Sequence, residues 1–145
     1  MKRNKPETIT GAEFFQDFTY IEDQKVFEDL VDALLLEKRV AIDTEFHRER
    51  TYFPSVALIQ IAHAKGISLI DPLKVNLRGL SRLLNSQVLI IMHAASQDLE
   101  VFQHVCGVVP KCLFDTQVAA GFLGMSTPSL SALYEKQLGI LIKKE

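Results

Sequence analysis

Two carboxylates close the apolar run Val40-Ala41-Ile42: Asp43 and Glu45, separated only by Thr44. Side chains on a strand alternate between its two sides, so acids two positions apart project from the same side. Holding two negative charges together at the end of a buried strand is costly unless a cation sits between them. A third acid, Asp98, stands in His93-Ala94-Ala95-Ser96-Gln97-Asp98-Leu99-Glu100. Hard oxygen donors of this kind suit Mg²⁺ or Mn²⁺, and phosphoryl chemistry is what such sites serve.

Each of these residues also has a plain structural reading. An acid at a strand end is often a cap, and Asp98 falls near a helix start, where the helix dipole favours a carboxylate whatever its function. His93 ends an apolar run and reads equally as a satisfied core histidine, while His63 and His104 read as structural or solvated. The cluster His47-Arg48-Glu49-Arg50 reads as a solvated loop. Its place directly after Glu45 also sets two guanidinium groups where a phosphate backbone would pass. Asp115 reads first as the cap of the helix that follows it, and second as a support for the site. What distinguishes Asp43 is its partner, since two acids on one side of a strand require a counter-charge.

The composition is that of a soluble globular chain. In 145 residues, 48% are hydrophobic and 23% charged, enough to bury a real core and too apolar for a disordered tract. A formal net charge of −2 excludes a generally basic coat, so contact with nucleic acid has to come from a local patch and a metal. Cys106 and Cys112 lack the spacing of a zinc site, and the opening Met1-Lys2-Arg3-Asn4-Lys5 is no signal peptide. Both features suit reduced thiols in a cytoplasmic protein. The longest apolar run, Val88 to Met92, is the length of a strand and far short of a membrane span, so no membrane partner is expected.

The elements that must position the acids follow from periodicity. Residues 1–17 read as a loose segment, from the polar stretch Met1 to Gly11, and Phe18 to Ile21 as a short strand. Asp23 caps a helix in which Phe27, Leu30, Val31, Leu34 and Leu35 form one stripe ending near Lys38. Val40–Glu45, Ser55–Ala62 and Ile67–Ile70 read as three strands of an antiparallel meander. In the second of them Val56, Leu58, Gln60 and Ala62 share one face and Ala57, Ile59 and Ile61 the other. After Pro72 the signals become a short helix over Leu77–Leu84, a strand over Val88–Met92, and a helix with Leu99, Phe102, Gln103 and Cys106 on one face, ended by Gly107. A very short strand at Leu113–Phe114, a helix from Asp115 through Leu123, and a last helix over Ser129–Leu138 complete the pattern. A meander followed by helix-connected strands is an α/β domain with a mixed sheet.

Taken together, the stretches Ala41-Ile42-Asp43-Thr44-Glu45-Phe46, Arg50-Thr51-Tyr52-Phe53-Pro54, Leu58-Ile59-Gln60-Ile61, Leu69-Ile70-Asp71-Pro72, His93 through Phe102 and Phe114-Asp115-Thr116-Gln117 resemble, in this order, the ribonuclease D family. These are 3′-5′ exoribonucleases of the DEDD group with a ribonuclease H-like fold, and the likeness runs from about Tyr20 to the C-terminus. The resemblance implies a partial exonuclease domain over residues 18–145 and two-metal hydrolysis of phosphodiesters from RNA 3′ ends, as in trimming of tRNA precursors.

The family's motifs assign Asp43, Glu45 and Asp98 as metal ligands for Mg²⁺ or Mn²⁺. Thr44, Phe46 and His93 would position the terminal nucleotide, with Phe46 stacking or wedging against a base. Such a site grips phosphate, ribose and base planes and reads little sequence; single-stranded DNA is a second substrate to be tested. The family's third motif, a Tyr and an Asp on a further helix, is expected beyond Glu145, so one metal ligand and the water-orienting residue would be missing. Three readings follow: an impaired exoribonuclease, an inactive nucleic-acid-binding remnant, and one half of a split enzyme. Loss of the family's covering helix would expose apolar surface and favour self-association, and a split enzyme would take a complementing C-terminal chain.

Overall fold

The structure, a computed structural model, describes residues 7–9, 18–47 and 55–142, in two compact units. The first comprises Asp17–Asp115. It opens with strand β2 (Phe18–Ile21) and helix α1 (Gln24–Leu34), whose N-cap Asp23 accepts the Val26 N–H at 3.0 Å. Phe27, Val31 and Leu34 recur on one side of α1 and are buried. Strand β3 (Arg39–His47) alternates as β-branched and apolar residues do on a half-covered sheet, with Val40, Ile42 and Thr44 inward and Ala41, Asp43 and Glu45 outward.

The meander continues with β4 (Ser55–His63) and β5 (Gly66–Ile70), each antiparallel to its predecessor. A 3₁₀ turn (Leu77–Leu80), helix α2 (Ser81–Leu84), strand β6 (Leu89–Met92), helix α3 (Ser96–Cys106) and strand β7 (Leu113–Asp115) follow. The sheet runs β2-β5-β4-β3-β6-β7, with β2 parallel to β5, β6 parallel to β3 and β7 parallel to β6. This is the expected mixed sheet, and its one core lies on the inward side. There Ile42, Ile59, Ile61, Ile70 and Ile90 meet Phe27 and Leu34 of α1, Leu80, Leu83 and Leu84, and Phe102 of α3. Gly79 passes so close to the Phe27 ring that a Cβ there would lie 2.8 Å from Cε1.

Two expectations are corrected. Strict alternation groups Val56 with Leu58, but the buried residues of β4 are Val56, Ile59 and Ile61. Glu45 pairs with Leu58 and Phe46 with Val56, so Ala57 is an extra residue in a β-bulge and the parity of the strand inverts there. In α3 the buried stripe is Asp98, Val101, Phe102 and Cys106, whereas Gln103 is exposed and bonds the Gly107 carbonyl. Gly107 ends that helix at φ 73°, a left-handed conformation open to glycine at no steric cost.

The outward side of the sheet carries a second apolar row. Phe18, Ile67, Ala62, Ala41, Ile91 and Phe114 stand in register across all six strands, and Phe18 and Phe114 are 52% and 47% exposed. The next row holds Tyr20, Leu69, Gln60 and Asp43.

In the second unit, helix α4 (Thr116–Phe122) precedes helix α5 (Leu130–Leu138), which is capped by Ser129 at its start and Gly139 at its end. Strand β8 (Ile140–Ile142) pairs in parallel with β1 (Glu7–Ile9), a three-residue strand inside the segment read as loose. Neither strand has enough residues for periodicity to announce it. The remainder of residues 1–17, the loop with Arg48, Glu49, Arg50 and the Thr51-Tyr52-Phe53-Pro54 stretch, and Lys143-Lys144-Glu145 lie outside the described residues.

Candidate active site

The site is built where β3 outruns its parallel neighbour. β6 pairs with β3 only from Arg39 to Ala41 and ends at Met92, so Asp43 and Glu45 lie beyond the last paired residue. Past Met92 the chain turns through His93, Ala94 at φ 55° and Ala95, then enters α3, whose first turn carries Asp98. Asp98 is only 6% exposed, unusual for a carboxylate without a dedicated partner. That partner is Thr44, on the inward side of β3, whose hydroxyl donates to Asp98 Oδ1.

Both acids are held above their ordinary range. Burial is the main cause for Asp98; the charge of Asp43 pushes in the same direction and the Thr44 hydroxyl opposes it. For Asp43 partial burial again dominates, offset by the Thr44 backbone and by the charge of nearby His93. Asp43, Thr44, His93 and Asp98 therefore form one electrostatic group. Both are hard-oxygen donors whose charge the site disfavours, the chemistry that a divalent cation would suit.

The remaining expected residues are placed less tightly. Glu45 projects outward on the same side of β3 as Asp43 and is exposed, and Phe46 packs partly against the core just past the bulge. Among the described residues, no three His, Cys, Asp or Glu side chains gather closely enough to hold an ion. Asp43 and Asp98 with Glu45 nearby on the strand thus fit a metal in donor chemistry, and the described shell stops at a pair.

Asp115 supports the turn that precedes the third helix: its carboxylate accepts the N–H of Ala94 at 3.0 Å through Oδ1 and of Ala95 at 2.8 Å through Oδ2. Sequence reasoning missed the Thr44 hydroxyl's bond to Asp98, although strand alternation alone turns that side chain inward once Asp43 faces out. Of the other named residues, His63 bonds Ser68 Oγ at 3.0 Å. Burial pushes the Cys106 thiol up to about 11, leaving it protonated and inert.

Comparison with known proteins identifies the family of the domain. A family model described as 3′-5′ exonuclease matches residues 18–145. Ribonuclease D of Xanthomonas oryzae is 46% identical over 101 residues, covering 67% of this chain and 28% of that protein. The crystal structure of Escherichia coli RNase D, titled as an exoribonuclease involved in structured RNA processing, superposes with a TM-score of 0.83 at 33% identity. The match covers 88% of this chain and 35% of that one. Trypanosoma brucei RNase D, solved in complex with RNA U12, shares the fold with a TM-score of 0.79 at 15% identity, over 88% of this chain and 49% of that one. The chain spans about a third of the length of the curated relatives it matches. From its matched residues and its mixed sheet, the chain belongs to the 3′-5′ exonuclease family, with the ribonucleases D among its relatives.

Proposed function

We propose that this chain supplies the acid pair and the 3′-end-binding face of a ribonuclease D-type exoribonuclease, which removes nucleotides from the 3′ end of RNA. The observation that carries the reading is the bond from the Thr44 hydroxyl to Asp98, which ties the helix bearing one acid to the residue next to Asp43 on the strand, although the two lie far apart in the chain. Mg²⁺ or Mn²⁺ would be held by Asp43 and Asp98, with Glu45 on the same side of the strand as a further donor to be drawn in, and would supply an activated water and charge stabilisation for attack on the scissile phosphate.

The protein's own groups orient and shield. The Thr44 hydroxyl fixes one oxygen of Asp98 and so the orientation of its carboxylate. His93, beside Asp43, offers a donor to a phosphate or ribose oxygen. The Thr44-Glu45-Phe46 backbone lies along the end of β3 where a terminal nucleotide would sit, with the Phe46 ring as its apolar contact. We read the chain as working in the cytoplasm on RNA 3′ ends. Among the described residues, no helix is long and apolar enough to cross a membrane.

The test is to incubate the pure chain with a 3′-unpaired RNA and Mn²⁺ or Mg²⁺, beside Asp43→Ala and an EDTA control, and follow shortening from the 3′ end. Shortening that needs both the metal and Asp43 supports the reading. Restoration of cleavage only when a polypeptide bearing the family's Tyr and Asp is added marks a site completed by a second segment. No metal-dependent binding or cleavage in any arm overturns it.

A further inference from the structure

We propose that Asp115 is a positioning residue for the active site: its carboxylate clamps the turn between β6 and α3 and thereby sets where Asp98 and His93 stand. Asp115 is the last residue of β7 and pairs with Met92, the last residue of β6, so its side chain lies where the neighbouring strand gives way to the turn. Each carboxylate oxygen takes one successive backbone N–H, from Ala94 at 3.0 Å and Ala95 at 2.8 Å.

That turn needs an outside hold. Ala94 sits at φ 55°, a conformation costly for a residue with a Cβ. Ala95, at the N-cap of α3, has no side-chain oxygen with which to cap the helix. A carboxylate accepting two amides stabilises both features, and charge-assisted bonds of this kind are roughly twice as strong as neutral ones. Ala95 is buried and its carbonyl accepts the Leu99 N–H at 2.9 Å, so the first turn carrying Asp98 starts from the clamped residue. His93 is joined directly to the other side of the clamp. Through these two bonds Asp115 acts on the site by way of the backbone.

The proposal rests on Asp43 and Asp98 being metal ligands, so the test has one arm that involves no metal. In the first arm, hydrogen exchange followed by NMR in metal-free buffer compares the parent with Asp115→Ala, Asp115→Asn and a core control, Val31→Ala. Removal of the clamp speeds exchange at Ala94, Ala95 and Leu99 selectively, and moves the carboxyl carbon resonance of Asp98. Val31→Ala does neither beyond its general loss of stability. Asp115→Asn, which keeps one acceptor oxygen, falls between and serves if the alanine variant does not fold.

In the second arm, free Mn²⁺ is measured by electron paramagnetic resonance. Support for an ion's ligands from such neighbours is worth about 10-fold or more in affinity. Asp115→Ala should lose that much, while Val31→Ala, compared at equal loss of Tm, keeps the parent's affinity. Unchanged exchange at Ala94 and Ala95, or an equal loss of Mn²⁺ affinity in Val31→Ala, overturns the clamp. A parent that takes up no Mn²⁺ overturns the metal reading alone, and the first arm then decides the role of Asp115.

Discussion

The Thr44 hydroxyl donates to Asp98 Oδ1 across 54 residues of chain, joining the strand that carries one acid to the helix that carries the other. Neither residue is exposed to solvent that might replace the bond. Thr44→Val keeps the shape and removes the donor, leaving a buried carboxylate short of a partner. The expected loss is about 1–3 kcal/mol, read from urea unfolding, and Thr44→Ser should stay near the parent.

Asp43 and Asp98 make the stability depend on pH in an unusual sense. Their folded values are raised above the ordinary 3.8, so what they contribute to stability is fully present below that pH and is lost as pH rises through the raised values. At neutral pH both charges are a burden on the fold. Asp43→Asn should therefore unfold at a higher temperature than the parent at pH 7, with the gap closing in acid. Mg²⁺ should raise the parent's Tm and not the variant's. A parent more stable than Asp43→Asn at neutral pH without metal would contradict this.

Gly79→Ala tests the core beneath the first helix. The added Cβ would lie 2.8 Å from Cε1 of Phe27, a ring with no exposed surface and so little freedom to retreat. Overpacking of this kind costs about 1–3 kcal/mol. Equilibrium denaturation gives the answer, and a variant as stable as the parent would mean that the ring can turn aside.

The outward row from Phe18 to Phe114 predicts self-association. Its two ends are aromatic and half exposed, and Tyr20 beside them is 50% exposed. Apolar surface of this extent on one face favours association. Sedimentation should show the weight-average mass rising with concentration, and Phe114→Ser should reduce the rise. A strictly monomeric parent at high concentration would show that this face is satisfied within the chain.

The fold was legible in the sequence wherever one face of an element is buried and the other is not. Phe27, Val31 and Leu34 marked the first helix, and the alternation of β3 placed Asp43 and Glu45 together on its outward side. Local pattern does not see events that depend on a partner strand. The extra residue at Ala57 has no signature of its own, β1 and β8 are three residues each, and the carboxylate of Asp115 reaches back to a turn some twenty residues earlier. The same limit applies to the site. Type and spacing singled out Asp43, Glu45 and Asp98, and Asp115 was read as a support, but the atoms that Thr44 and Asp115 bond were not legible, because only the tertiary fold brings them near.

The bulge divides the hairpin into a fixed part and an adjustable one. Asp43 faces Gln60 inside the regular ladder, whereas Phe46 and His47 pair with Val56 and Ser55 beyond the extra residue. The extra residue at Ala57 uncouples the two registers, so the pairing from Ala41 to Glu45 does not depend on the pairing of Phe46 and His47. Sequence change beyond the bulge can therefore leave Asp43 and Glu45 in unchanged register with Gln60 and Leu58.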